Sequence, residues 1–454
     1  MDSQIVCSIF GACVIIEFQH FAVLKFAYGI CPRNEIIYVY LILEIWLIGS
    51  FLGLLHSFLV RYIYRIVPEP YMDEIFHVYQ TRNFCAFNFT WDPKITTPPA
   101  LYILSVPIFC EHERYTNSAL IPFSFVGCMQ FQKLFSRHKF GTRLQIFKCT
   151  VTSITVLLLP VLFHSSLLYY TDLLSLTTLV WAASLPPGIL SSLIFLVSVC
   201  TRQTNIIWAA VYGSFHLFAL LEKQCKHGLS FSFWSLLLLP IGFVIFFVFN
   251  NNSIVLGDRS AHQPVPHFMQ FFYFLVFHCF SSAPLLLCRS KTYHCIKENI
   301  LHPVKSLILL LLISCCVYFF TFQHQYLLAD NRHFTFYIWR RWFLRHPCCK
   351  YIAVIFYILA LKLFIQIIDH IPKLLAVLYI LGTAAVLVPV NLLEPRYFIV
   401  PYIFWRLSYP ERRISVIIFE LIYAVLINTL VLYMFLFRPF EWSHLPNVKQ
   451  RFMW

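Results

Sequence analysis

Long apolar runs alternate with short polar breaks along almost the whole chain. The clearest runs are residues 36–58, 232–249, 268–287, 306–328, 351–368 and 416–437. Each is long enough to cross a hydrocarbon core about 30 Å thick. In lipid, backbone polar groups must be paired within the segment, so these runs predict helices despite their many Phe, Val and Ile residues. Residues 101–110 follow Pro98-Pro99 and are too short to cross, so they predict a helix lying along the membrane interface. The full pattern predicts about 12–14 spans. No internal repeat or pair of broken spans, as in many transporters, is evident.

Composition points the same way. The 454 residues are 59% hydrophobic and 12% charged, with a mean hydropathy of +0.73, whereas soluble domains carry about 25% charged residues. The class read from these features is an all-α polytopic membrane protein. Residues 1–33 do not read as a signal peptide, because the first lysine is Lys25. The 16 cysteines have no CxxC spacing. They read as small apolar packing residues, in preference to a Cys85–Cys110 disulfide.

The net charge of +14, from 34 basic and 20 acidic residues, invites a nucleic-acid reading. The cations lie in short loops, however, where they report topology and contact lipid headgroups, so no nucleic-acid partner is expected. Basic loops at residues 133–148, 222–227, 289–305 and 406–413 favour the cytosolic side. The joining loop 250–267 then faces the lumen and holds the sequon Asn251-Asn252-Ser253. A second sequon, Asn88-Phe89-Thr90, lies in residues 66–116, the expected first luminal loop. Arg61 and Arg65, and the cluster Arg340, Arg341, Arg345 and Lys350, fall on the luminal side of this count, against the rule.

Within that first loop, residues 69–102 read EPYMDEIFHVYQTRNFCAFNFTWDPKITTPPALY. Glu69, Asp73, Glu74 and Asp92 make four of the chain's 20 acids, together with His77 and four prolines. Other polar islands on the same side offer Asp258-Arg259, Arg332-His333 and Arg396. Acids and cations gathered at one membrane face suit a reaction on an anionic lipid headgroup. A carboxylate deprotonates a hydroxyl nucleophile, and cations stabilise a departing phosphate. The alternative classes are a transporter or channel-associated protein, which would carry ionisable groups at mid-bilayer instead of at span ends.

The runs EPYMDEIFHVYQ…WDPKITTPP, RQTNIIW (residues 202–208), GDRSAH (257–262), LLADNRHFTFYIW (327–339) and LLEPRYFIVPY (392–402) resemble one family in order. It is the dolichyl-phosphate-glucose-dependent α-1,2-glucosyltransferases of the endoplasmic reticulum, which belong to the membrane-embedded GT-C class. The resemblance spans about residues 66–438. It implies a GT-C bundle over residues 34–438, preceded by an unmatched segment 1–33 and followed by a tail, 439–454. It also implies a multi-pass protein of the endoplasmic reticulum membrane with its active site facing the lumen. The implied donor is dolichyl phosphate glucose and the acceptor a dolichyl-diphosphate oligosaccharide already carrying two glucoses. A member of the GT-C class using another dolichyl-phosphate sugar is the nearest alternative.

The resemblance places the general base at Asp73, with Glu74 adjacent. Arg332, His333 and Arg396 are candidates to hold the leaving phosphate, because a guanidinium grips phosphate bidentately. Arg396 pairing with Glu394 is the competing reading. Arg202 and Gln203 are candidates for sugar hydroxyls or the donor phosphate, His77 for orienting the base, and Asp258 and Arg259 for substrate contact. No DxD spacing is present, and neither a metal nor another cofactor is expected.

Overall fold

A computed structural model describes residues 35–135, 142–222, 231–259, 263–288, 292–293, 297 and 303–454. The segment 1–33 and most of the basic loops at 222–227 and 289–305 lie outside the described residues. The first apolar run forms α1 (Glu35–Ile66). Two short helices, α2 (Glu74–Cys85) and α3 (Ala100–Ser105), follow in the polar loop. Next come α4 (Tyr115–Phe135), α5 (Arg143–Leu157), α6 (Pro160–Ser166), α7 (Asp172–Ser184), α8 (Ile189–Val199), α9 (Asn205–Glu222) and α10 (Phe231–Phe249). The chain continues through α11 (Met269–Ser281), α12 (Ala283–Leu287), α13 (Pro303–Phe320), α14 (Gln325–Ala329) and α15 (Phe334–Ile338). It closes with α16 (Cys349–Ile368), α17 (Lys373–Leu387), α18 (Ile399–Ser408) and α19 (Ile414–Phe437), then a small antiparallel hairpin of β1 (Phe440–Trp442) and β2 (Leu445–Gln450).

Helices α1, α13, α16 and α19 are each long and apolar enough to cross a membrane. Helices α5 and α6 together make a fifth such segment, bent by 68°. Helices α7 to α11 and α17 are shorter and apolar. The protein is thus a multi-pass membrane protein built almost wholly of helices. Two expected spans are shorter than their apolar runs. Residues 268–287 break at Ser282, and the run from 306 ends at Phe320. The first break precedes Pro284, which has no N–H for an ongoing helix and is accepted in a first turn. The α5–α6 bend precedes Pro160 for the same reason.

Small residues set the closest helix contacts. A Cβ at Gly53 would lie 3.1 Å from the Pro122 ring, and one at Gly127 only 2.7 Å from Val180. Glycine therefore lets α1 approach α4, and α4 approach α7, as small residues do in membrane bundles. Polar side chains join the same layer: His56 bridges Ser118 at 2.8 Å and Ser166 at 3.0 Å. Away from the polar loop, the buried pair Arg406–Glu420 ties α18 to α19 at 2.6 Å.

Some members of both departures from the basic-loop rule have local partners. Arg65 lies in the last turn of α1, where a cation meets the negative end of the helix dipole. Arg340 and Arg341 lie over the rings of Phe336 and Tyr337 at 5.6 and 5.3 Å.

Two expectations for the polar loop change. Cys85 at the end of α2 is disulfide-bonded to Cys110, with Cα atoms 5.9 Å apart, so this pair is a covalent brace and not apolar filling. The interfacial helix is confined to α3, with Leu101, Tyr102 and Ser105 buried and Ile103 and Leu104 exposed.

Candidate active site

The site begins where α1 ends. Arg114 is fully buried and donates to the carbonyls of Val67 at 2.7 Å and Glu69 at 3.1 Å, while its guanidinium lies over Tyr64 at 4.6 Å. The same guanidinium grips Glu74 through two bonds of 2.6 and 2.8 Å. Glu74 also accepts from the backbone N–H groups of Tyr71 and Tyr169, each at 2.9 Å. Its carboxylate is completely enclosed and its acceptor positions are occupied. Although adjacent to Asp73 in sequence, Glu74 is turned inward to hold the loop on α4 and the start of α7. It does not share Asp73's outlook.

Just before this pair, Met72 takes a left-handed backbone conformation, φ 58°, which costs about 1–2 kcal/mol for a side-chain-bearing residue. Beyond that turn the two consecutive acids take different partners, Arg396 for Asp73 and Arg114 for Glu74. The Asp73 carboxylate stays half exposed and meets Arg396 Nη2 at 3.0 Å, from a residue 323 positions away. Arg396 also donates through Nε to Glu394 at 2.6 Å and lies over the Tyr170 ring at 4.7 Å. The expected Glu394–Arg396 pair therefore exists alongside the Asp73 contact, and one guanidinium serves both acids.

Burial alone would push the Asp73 carboxyl up. The charge and the hydrogen bond of the Arg396 guanidinium oppose that effect, and the carboxyl is held below its usual range. His77 sits one helical turn beyond Asp73. Burial drives its imidazole down to about 4, and Asp73 opposes the shift. The ring is therefore neutral near pH 7, with Nδ1 2.7 Å from the Tyr102 hydroxyl. Arg202 stands next to this group. It pairs with Asp172 at 2.8 Å and donates to Thr171 Oγ1 at 3.0 Å, and its charge reaches His77.

The other expected residues sit around this centre. Gln203 donates to the Thr96 carbonyl at 2.6 Å and fastens the polar loop to the start of α9. Arg259 is turned to Asn250, bonding its carbonyl at 3.1 Å and its Oδ1 at 3.0 Å. Asp258 is exposed beside it. Their loop lies against the polar loop at Gly257, where a Cβ would come within 2.4 Å of the Pro93 and Ile95 carbonyls. Asp258 and Arg259 thus belong to the rim. Arg332 forks onto Asp330 with bonds of 2.8 and 2.6 Å. His333 shares Nδ1 with the Trp454 main-chain oxygen at 2.7 Å. Both already have partners.

Beside Arg202 and Gln203 opens an apolar groove of about 1010 Å³ between α8, α9 and α10. Leu196, Trp234 and Phe243 line its length, and Pro99, Gln203 and Leu256 its polar-loop end. Residue patterns did not single out this groove, nor Arg114 and the tail residues at the site. Tyr170, Thr171 and Asp172 do form a polar break in the sequence. The groove has no such signal, because lipid-facing and groove-facing apolar residues look alike.

Fold and site together define a multi-pass membrane protein with a paired acid and cation beside its polar loop and a lipid-sized groove that the same loop reaches at Pro98 and Pro99. The DIE2/ALG10 family model matches residues 67–232 and 226–407. The Rattus norvegicus Dol-P-Glc:Glc(2)Man(9)GlcNAc(2)-PP-Dol alpha-1,2-glucosyltransferase is 32% identical over 451 residues, covering 86% of this chain and 94% of the relative. The Homo sapiens protein of the same name is 32% identical over 449 residues, with the same coverage. The Arabidopsis thaliana protein is 31% identical over 493 residues, covering 86% and 96%. The chain belongs to the DIE2/ALG10 family. No solved structure matches it.

Proposed function

We propose that this chain transfers glucose from dolichyl phosphate glucose, in α-1,2 linkage, to the diglucosylated dolichyl-diphosphate oligosaccharide. The reaction takes place at the luminal face of the endoplasmic reticulum membrane, in a GT-C bundle. The observation that carries this reading is the Asp73–Arg396 pair together with the Arg202–Asp172 pair, Arg202 being the chain neighbour of Gln203, which lines the apolar groove. A polyprenyl phosphate sugar needs an apolar channel for its tail, cations for its phosphate and a carboxylate at its sugar. The names of the relatives supply the substrates. The two sequon-bearing loops touch each other, which supports a common luminal face.

Asp73 takes the proton from the 2-hydroxyl of the acceptor's terminal glucose. That oxygen attacks C1 of the β-linked donor glucose from the opposite face. The C1–O bond breaks, and dolichyl phosphate leaves with its negative charge facing Arg202 and Arg396. When the donor phosphate engages Arg396, it competes with Asp73 for the guanidinium. Asp73 then loses the charge that holds its pKa down and becomes the stronger base. Glu74, locked to Arg114, takes no part in the chemistry.

Two experiments test the assignment. Arg202→Gln should raise the KM for dolichyl phosphate glucose roughly tenfold, about 1.4 kcal/mol, with the acceptor KM nearly unchanged. An unaltered donor KM would remove Arg202 from the phosphate site. Arg396→Gln should lower turnover and move the acid limb of the pH–rate profile upward. Without that guanidinium the burial effect on Asp73 is less opposed, so the carboxyl protonates at higher pH. A limb that stays in place would mean that Asp73 is not the titrating base.

A further inference from the structure

The tail beyond the last span is the part of the chain that the reading above leaves without a role. After β2 it turns back into the face that carries Asp73. Arg451 is 6% exposed and donates Nη1 to the carbonyls of Phe435 at 2.7 Å and Leu436 at 3.0 Å, with Nη2 3.5 Å from the Ile66 carbonyl. One buried guanidinium thus joins the outgoing ends of α19 and α1, where helix dipoles favour a cation. The backbone of Arg451 brackets the Tyr71 hydroxyl, which accepts from its N–H and donates to its carbonyl, both at 2.8 Å.

The same few residues reach the opposite loop. Gln450 accepts from Arg332 at 3.2 Å. Met453 receives and returns main-chain bonds, accepting from Phe334 at 3.2 Å and donating to the Arg332 carbonyl at 2.8 Å. Trp454 holds His333, and Phe334 stacks on Phe452.

We propose that residues 450–454 act as a positioning latch for the reaction assigned above, on which this inference rests. The latch fixes Tyr71 at its hydroxyl while Glu74 fixes it at its N–H. The left-handed Met72 turn is thereby held at both ends, and Asp73 is aimed at Arg396. By gripping Arg332 to Phe334 as well, the latch sets the spacing across the site. None of these residues touches the reacting atoms. They act through Tyr71 and His333. A misplacement of about 1 Å is enough to lower a rate roughly a hundredfold.

Tyr71→Phe keeps the buried ring and removes both bonds to Arg451. It should lower kcat by roughly tenfold, with both KM values within about twofold and the melting temperature in detergent lowered by no more than a few degrees. Amide hydrogen exchange should quicken in residues 69–76 and stay as it was around the Cys85–Cys110 bridge. Arg451→Ala should lower kcat further, and Arg451→Lys should restore part of it, because an ammonium can still reach the helix-end carbonyls. Wild-type kcat and exchange in Tyr71→Phe would overturn the proposal. So would a loss in which kcat, KM and melting temperature fall together, which marks a merely structural plug. If the wild-type chain transfers no glucose, the assigned function fails, and the exchange measurement still decides whether the tail holds the Met72 turn.

Discussion

Asp73→Asn is expected to reduce glucose transfer by roughly 10²–10⁴-fold, the usual contribution of a positioned acid–base group, while leaving the protein folded. The amide is nearly the same size and its oxygen still accepts from Arg396, so the bridge across the site survives. What disappears is the proton acceptor. The Asp73 side chain is 53% exposed, so little packing is disturbed, and the melting temperature in detergent should match wild type. Comparison with Glu74→Gln separates the two neighbouring acids. That variant should lose stability first and activity only as a consequence, because its carboxylate is filled by Arg114 and two backbone donors. Near-normal turnover of folded Asp73→Asn would assign the base elsewhere.

The largest stability effect should come from Arg114→Ala. Removing one partner of a buried ion pair leaves the other charge without compensation, at a cost of about 3–5 kcal/mol. Here the stranded group is Glu74, which is fully enclosed, and the carbonyls of Val67 and Glu69 lose their donor as well. Whole domains are stable by only about 5–15 kcal/mol, so a marked drop in melting temperature and in membrane-extracted protein is expected. Arg114→Lys should recover only part of the loss, since one ammonium cannot reproduce the planar fork. An unchanged melting curve for Arg114→Ala would mean that Glu74 finds another partner or a proton.

Much of this was legible in the chain itself. Hydropathy gave the helices because lipid leaves the backbone no other way to pair its polar groups. The unusual segment 69–102 exposed Asp73 because acids are scarce in such a chain. Three features stayed hidden for physical reasons. Asp73 and Glu74 are equivalent as sequence, and only their distant partners, Arg396 and Arg114, distinguish them. The Cys85–Cys110 bridge was masked by 14 other cysteines in an apolar chain. Arg332 looked like a free cation for phosphate, because the pattern ADNRH does not reveal that Asp330 folds back onto it. The tail 439–454 carries few apolar residues in register and gave no sign that it docks on Tyr71. Its contacts depend on where α1 and α19 end in space, which no local pattern records.

The most direct test of single-carboxylate inverting transfer is the stereochemistry of the product. Membranes holding this chain would be given dolichyl phosphate glucose and the diglucosylated lipid-linked acceptor, and the new linkage read by nuclear magnetic resonance. One added glucose, α-linked to the 2-oxygen, is the expected result. A β-linked glucose, attachment at another oxygen, or no transfer at all would contradict it.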